Sequence, residues 1–172
     1  MPRCQSHSYQ ISAAMAKFSD IIKSAMDTRP ILVVEDNPDD EILMLRALKK
    51  NNIANPIVVA RDGVEALDYL FGRGQYEGRN PSETPALVLL DLNLPKVDGF
   101  QVLKEMRADR RLKYIPVVIL TSSNQDRDII EGYDLGANSY VRKPVDFEEF
   151  VDATGKLVLY WLLVNKMPPE TD

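Results

Sequence analysis

The sequence predicts an α/β fold: a doubly wound, five-stranded parallel sheet of flavodoxin-like order 2-1-3-4-5, with helices on both faces. Three observations predict it. Short apolar runs alternate with stretches of helical periodicity, strand then helix, five times over. The central runs are continuously apolar rather than alternating, the pattern of parallel strands covered on both faces. Four of the runs stop at polar residues, as expected at the carboxyl-end edge where open α/β sheets bind ligands.

The elements follow in order. Residues 31–35 (Ile-Leu-Val-Val-Glu) form the first strand, and residues 39–51 a helix with Ile42, Leu45 and Leu48 on one face. Asn37-Pro38-Asp39-Asp40 is a good helix start. Strand 57–60 precedes helix 63–70. The stretch from Phe71 to Pro85 is too long and polar for an ordinary connection. It reads as a surface loop extending the second helix, either a neutral insertion or a specificity element. Its glycines make no phosphate loop, because no Gly-Lys-Ser/Thr follows. Strand 86–91 is central and is closed by Pro95 and the Asp98-Gly99 turn. Helix 100–107, strand 117–121, helix 126–135 stopped by Gly136, strand 138–142 and a long helix from Phe147 to about Val164 complete the pattern.

Parallel strands place all their carboxyl ends on one edge, so Glu35, Asp36, Asp91, Thr121 and Lys143 should converge. Three carboxylates in one place repel each other. A hard divalent cation relieves that repulsion, and an all-oxygen donor set suits Mg²⁺. Lys143 adds a point positive charge and Thr121 a hydroxyl. Together these are the parts for placing a phosphoryl group on a carboxylate, with Asp91 as nucleophile. Each residue alone has a plainer reading: Asp36 as a helix cap, Lys143 as a solvated charge, Tyr140 as a strand aromatic.

Length and composition narrow the classes. The 172 residues, 45% hydrophobic, suit one globular domain with tails. Net charge is −5 and the isoelectric point is near 5.0, which argues against nucleic-acid binding. The lone Cys4 excludes an intramolecular disulfide framework, and the only His, His7, lies in the N-terminal tail outside any helical bundle that could make it a phospho-donor. No apolar run approaches the length of a membrane span, and residues 1–27 lack a signal-peptide core, so a soluble, cytoplasmic protein is expected. Three segments follow: an extension over 1–28, a domain over 29–165 and a tail over 166–172. Within the extension, Ile11, Met15, Phe18, Ile21, Ile22 and Ala25 fall at near-helical spacing. They predict a short amphipathic helix, or a stretch upstream of a start at Met15 or Met26.

The motifs Val34-Glu35-Asp36-Asn37, Asp91-Leu92-Asn93-Leu94-Pro95 with Asp98-Gly99, Thr121-Ser122, Tyr140 and Lys143-Pro144, in this order and at these spacings, resemble the response-regulator receiver domain of two-component signalling. The resemblance covers about residues 29–165. It implies that Asp91 is the phospho-acceptor, that Asp36 ligates Mg²⁺ directly, that Glu35 holds it through water, and that Asn93 supplies a backbone carbonyl. Mn²⁺ or Ca²⁺ could substitute for Mg²⁺. It implies further that Lys143 pairs with the phosphoryl group, that Thr121 and Tyr140 form a switch pair, and that the Lys143–Pro144 bond is cis, a form whose cost is small only before proline.

The final helix is apolar nearly all round over Leu157 to Val164, which points to burial against another chain, with Tyr160, Trp161, Leu162 and Leu163 as dimer candidates, the alternative being that it folds back on its own core. This helix, the long loop and the Pro-rich end resemble the small stand-alone regulators of phytochrome-type histidine kinases. The expected function is acceptance of phosphate from a sensor histidine kinase, with output through the domain's own surface as homodimerisation or partner binding, slow self-dephosphorylation, and no role for nucleic acid or membrane. The rivals are a silent interaction scaffold and an aspartate-based phosphatase or transferase. The latter uses a second carboxylate two residues after its nucleophile, where this chain has Asn93.

Overall fold

Four-residue and five-residue apolar runs gain most by pairing side by side, because a strand buried on both faces has no water to satisfy its backbone. A computed structural model, which describes residues 27–144, 146–166 and 168, shows that outcome. Strands β1 (Ile31–Val34), β2 (Ile57–Ala60), β3 (Leu87–Leu90), β4 (Val117–Thr121) and β5 (Ser139–Arg142) form one parallel sheet of order β2-β1-β3-β4-β5, as expected. The expected helix within 11–25, Cys4, His7 and most of the 166–172 tail lie outside the described residues.

The side-chain alternation of the strands sorts the core into two halves. Leu32, Val34, Val88, Leu90, Val117 and Ile119 face helices α2 (Gly63–Phe71) and α3 (Gly99–Ala108), whose Leu67, Leu70, Val102, Leu103 and Met106 complete that half. Ile31, Val33, Leu87, Leu89, Val118 and Leu120 face α1 (Pro38–Lys50) and α5 (Phe147–Leu159), through Met44, Ala47, Leu48, Phe150, Val151 and Val158. Helix α4 (Asp126–Asp134) is more peripheral and buries only Gly132, against Ile119 and the Tyr140 ring.

Local chemistry starts and stops these helices. Asn37 caps α1 by accepting from the amides of Asp39 and Asp40, so the cap is Asn37 and not Asp36. Asp62, Asp98 and Asp146 cap α2, α3 and α5 in the same way. The inward face of α1 differs from expectation: Met44, Ala47 and Leu48 are buried, whereas Ile42 is 47% exposed. Met44, Ala47 and Leu48 share one core half with Phe150 and Val151 of α5, the helix that α1 packs against, and that packing sets the face α1 buries.

The long loop is an ordered annex of α2. Gly72 closes the helix with φ of 64°, and a 3₁₀ turn follows over Gly74–Tyr76. The Arg79 guanidinium lies 4.0 Å over the Tyr69 ring and donates to the carbonyls of Tyr69 and Glu83. Tyr69 and Tyr76 meet edge to face at 5.2 Å.

After Leu159 the last helix widens into a π turn over Tyr160–Val164. This splits the apolar end. Leu162 is buried and Trp161 packs beside it on the α1/α5 half of the core, while Tyr160, Leu163 and Val164 face outward. Leu162 thus packs on the core of its own chain, the alternative expected for this helix end.

Candidate functional site

The carboxyl edge of the sheet gathers the polar strand ends. Glu35 follows β1, Asp91 follows β3, Thr121 ends β4 and Lys143 follows β5. Backbone bonds hold them in line. The Glu35 amide donates to Ala60, the Asp91 amide to Val34, and the Lys143 amide to the Thr121 carbonyl. Glycine at 99 lets α3 start directly against this edge: a Cβ there would lie 2.3 Å from the Asp91 carbonyl oxygen.

Carboxylate oxygens of Glu35, Asp36 and Asp91 all lie within 4.8 Å of one another. Glu35 and Asp91 are buried and Asp36 is exposed, so the cluster opens to solvent on one side. A set of oxygen donors this close, facing water on one flank, fits a hard divalent cation that keeps part of its hydration. Asn93 is exposed, and its amide donates to Asp91 Oδ1 at 3.2 Å, which orients the carboxylate.

The Lys143 ammonium reaches into the cluster. Its Nζ lies 2.6 Å from Glu35 Oε2, 2.8 Å from Asp91 Oδ2 and 2.8 Å from Asp40 Oδ2. Burial pulls the ammonium downward, but its hydrogen bonds to Asp40, Asp91 and Glu35 outweigh that and hold it above the ordinary lysine value. For Glu35, burial prevails over the hydrogen bond from Lys143 and pushes its carboxyl up to about 7. The Lys143–Pro144 peptide is trans, as is every peptide among the described residues. This corrects the expected cis bond. Trans is the favoured form even before proline, and with it Lys143 already meets all three of its partners.

Thr121 is fully buried, and its hydroxyl accepts from the Ser123 amide at 3.3 Å. Tyr140 pairs in register with Ile119, two residues below Thr121 on the neighbouring strand. Its ring packs against Gly132, and its hydroxyl donates to the Ser123 carbonyl at 3.5 Å. Ser123 therefore joins the two residues through its backbone, and its own hydroxyl is bound to Asp128.

Sequence reasoning places Asn37 and Asp40 only in a helix start and Ser123 at the flank of the site, and foresees none of the contacts they make. Asn37 donates its amide to Glu35 Oε1 at 3.2 Å in addition to capping α1. Asp40 had a readable signal: it stands one helical turn beyond Asp36, in the first turn of α1, on the side from which Lys143 arrives.

Comparison with known proteins agrees with this geometry. The family described as "Response regulator receiver domain" matches residues 31–154. The bacteriophytochrome response regulator AtBRR is 52% identical, over 81% of this chain and 99% of that one, with a TM-score of 0.66. The phosphorylated cyanobacterial phytochrome response regulator RcpA is 38% identical over 83% and 100%, at 0.76. The Mn²⁺-bound form of response regulator Rcp1, a protein of Synechocystis, is 37% identical over 82% and 99%, at 0.74.

Proposed function

The chain belongs to the response-regulator receiver domain family, a class of phospho-acceptors rather than enzymes, and from that premise we propose that it accepts a phosphoryl group on Asp91 from a sensor histidine kinase in a Mg²⁺-dependent reaction. The single observation that carries this reading is the Lys143 ammonium at hydrogen-bond distance from Asp91 within a cluster of three carboxylates. In the transfer, an Asp91 carboxylate oxygen forms a bond to phosphorus as the bond from phosphorus to the donor imidazole nitrogen breaks and its electron pair returns to the ring. Glu35, Asp36, Asp91 and the Asn93 carbonyl would hold the metal, which when bound neutralises phosphoryl charge. Lys143 draws a phosphoryl oxygen, and the Thr121 hydroxyl, which only accepts from the Ser123 amide, donates its proton to another. Tyr140, tied to the same Ser123, follows it as the switch partner.

The resemblance to RcpA and AtBRR, both named for phytochromes, supports a phytochrome-type kinase as donor. Output runs through the domain's own surface, as homodimerisation or partner binding. The exposed Tyr160 and Leu163 beside a half-buried Trp161 support a homodimer seated on the last helix. Nucleic acid and membrane play no part in this reading. The acidic net charge supports the first point, and among the described residues no helix is long and apolar enough to cross a membrane.

The test is incubation with Mg²⁺ and acetyl phosphate beside Asp91→Ala, reading mass and oligomer size together. One added phosphoryl group, absent from the variant, supports the reading, and a change in size in step with it supports dimerisation as output. If neither acetyl phosphate nor a phytochrome-type kinase labels the protein, the phospho-acceptor reading falls and a silent scaffold takes its place.

A further inference from the structure

An ammonium has three N–H donors, and Lys143 spends them on Glu35, Asp91 and Asp40. Two of those partners belong to the metal cluster; Asp40 does not. Asp40 is held on the first turn of α1 by the Asn37 cap, and its side chain is 34% exposed at the rim of the site. Beside Asp40 and Lys143 lies a small cavity of about 70 Å³, lined by Glu35 and by the apolar Leu43, Met44, Pro144, Phe147 and Phe150.

We propose that Asp40 is a positioning residue that restrains Lys143. The inference rests on the phospho-acceptor reading of Asp91 and adds a governor to it. A cation at the cluster and a phosphoryl group on Asp91 both compete for Glu35 and Asp91, so those two contacts loosen as the reaction proceeds. The Asp40 contact does not. It draws the ammonium toward α1 and away from an incoming phosphodonor, and its own negative charge opposes that anionic donor. Both effects slow phosphorylation, so neutralising Asp40 should quicken it.

The experiment compares Asp40→Asn, Asp40→Ala and Asp40→Glu with the unaltered chain, measuring the rate of Asp91 phosphorylation by acetyl phosphate at saturating Mg²⁺. Asp39→Asn is the control: Asp39 is one residue away, exposed, and makes no contact with Lys143. The Asn and Ala variants should react about three- to fivefold faster, the size of a partly exposed ion pair. Asp40→Glu should restore the slow rate, and Asp39→Asn should leave it unchanged. An unchanged or slower rate in Asp40→Asn, or an equal gain in Asp39→Asn, would overturn the proposal. If the unaltered chain takes no phosphoryl group, the phospho-acceptor reading fails separately. The Lys143 ammonium resonance in nuclear magnetic resonance then decides whether Asp40 holds the lysine. It should move in Asp40→Asn and stay in Asp39→Asn, and a resonance that does not move rejects the contact.

Discussion

Lys143 and Glu35 lie 108 residues apart and meet at 2.6 Å on the buried floor of the site, where their side chains are 10% and 3% exposed. A pair this deep costs much to break, because the carboxyl left behind must either stay charged without its counterion or take up a proton. Lys143→Ala should lower the stability of the metal-free protein by about 3 kcal/mol, at the low end for a buried pair because a carboxyl can take up a proton instead. Mg²⁺ should return more stability to the variant than to the unaltered chain, since the ion replaces the missing cation. Urea unfolding with and without Mg²⁺ measures both effects.

The same burial makes metal binding depend on pH. Glu35 rises from the ordinary 4.5 to about 7 in the folded, metal-free protein, so the fold holds that proton more tightly than the unfolded chain does. Its contribution to stability is present in full below the unfolded value and is lost as pH rises through about 7. A metal ion needs the charged carboxylate. Mg²⁺ affinity should therefore climb with pH up to about 7 and level off above it, with a proton released on binding at lower pH. Calorimetric titrations one unit either side of that value, repeated on Glu35→Gln, check this. The variant should bind more weakly, with a flat profile.

Glycine at 99 is required by the close approach of α3 to the acceptor strand. In Gly99→Ala the new methyl would sit 2.3 Å from the Asp91 carbonyl oxygen and 2.8 Å from Leu92 Cα, both main-chain atoms that cannot swing aside. A loss of about 3 kcal/mol is expected, at the upper end for overpacking. A fall in Mg²⁺ affinity should accompany it, because Asp91 is displaced. Chemical unfolding and metal titration of the same variant test the pairing of the two losses.

Thr154 on α5 is buried, and its hydroxyl has no hydrogen-bond partner among the described residues. Thr154→Val keeps the shape and removes that unsatisfied group, so it should raise stability by about 1 kcal/mol. A lower urea midpoint would show that the hydroxyl does useful bonding in solution.

The π turn at the end of the last helix separates two roles. On the homodimer proposed above, Leu163→Glu should weaken self-association at least tenfold in sedimentation experiments and leave folding intact, because Leu163 is exposed. Leu162→Ala should instead destabilise the fold by about 2–3 kcal/mol as a core cavity.

The order of elements, the parallel sheet and the convergence of Glu35, Asp36, Asp91, Thr121 and Lys143 on its edge were legible without coordinates. Continuous apolar runs can be satisfied only by pairing, and parallel pairing sends every strand end to one side. What only the tertiary structure decided are contacts between side chains of distant elements. Periodicity placed Ile42 inward, but packing on β1 and α5 chose Met44 and Ala47. An apolar helix end read as one surface, but a π turn sent Leu162 into the core and Leu163 outward. Asp40 read as part of a helix start, and it is bound to Lys143 across 103 residues. Local pattern sets what an element is. Its rotation, and the partner each charge finds, depend on how the elements pack, and neighbours in the chain carry no record of that.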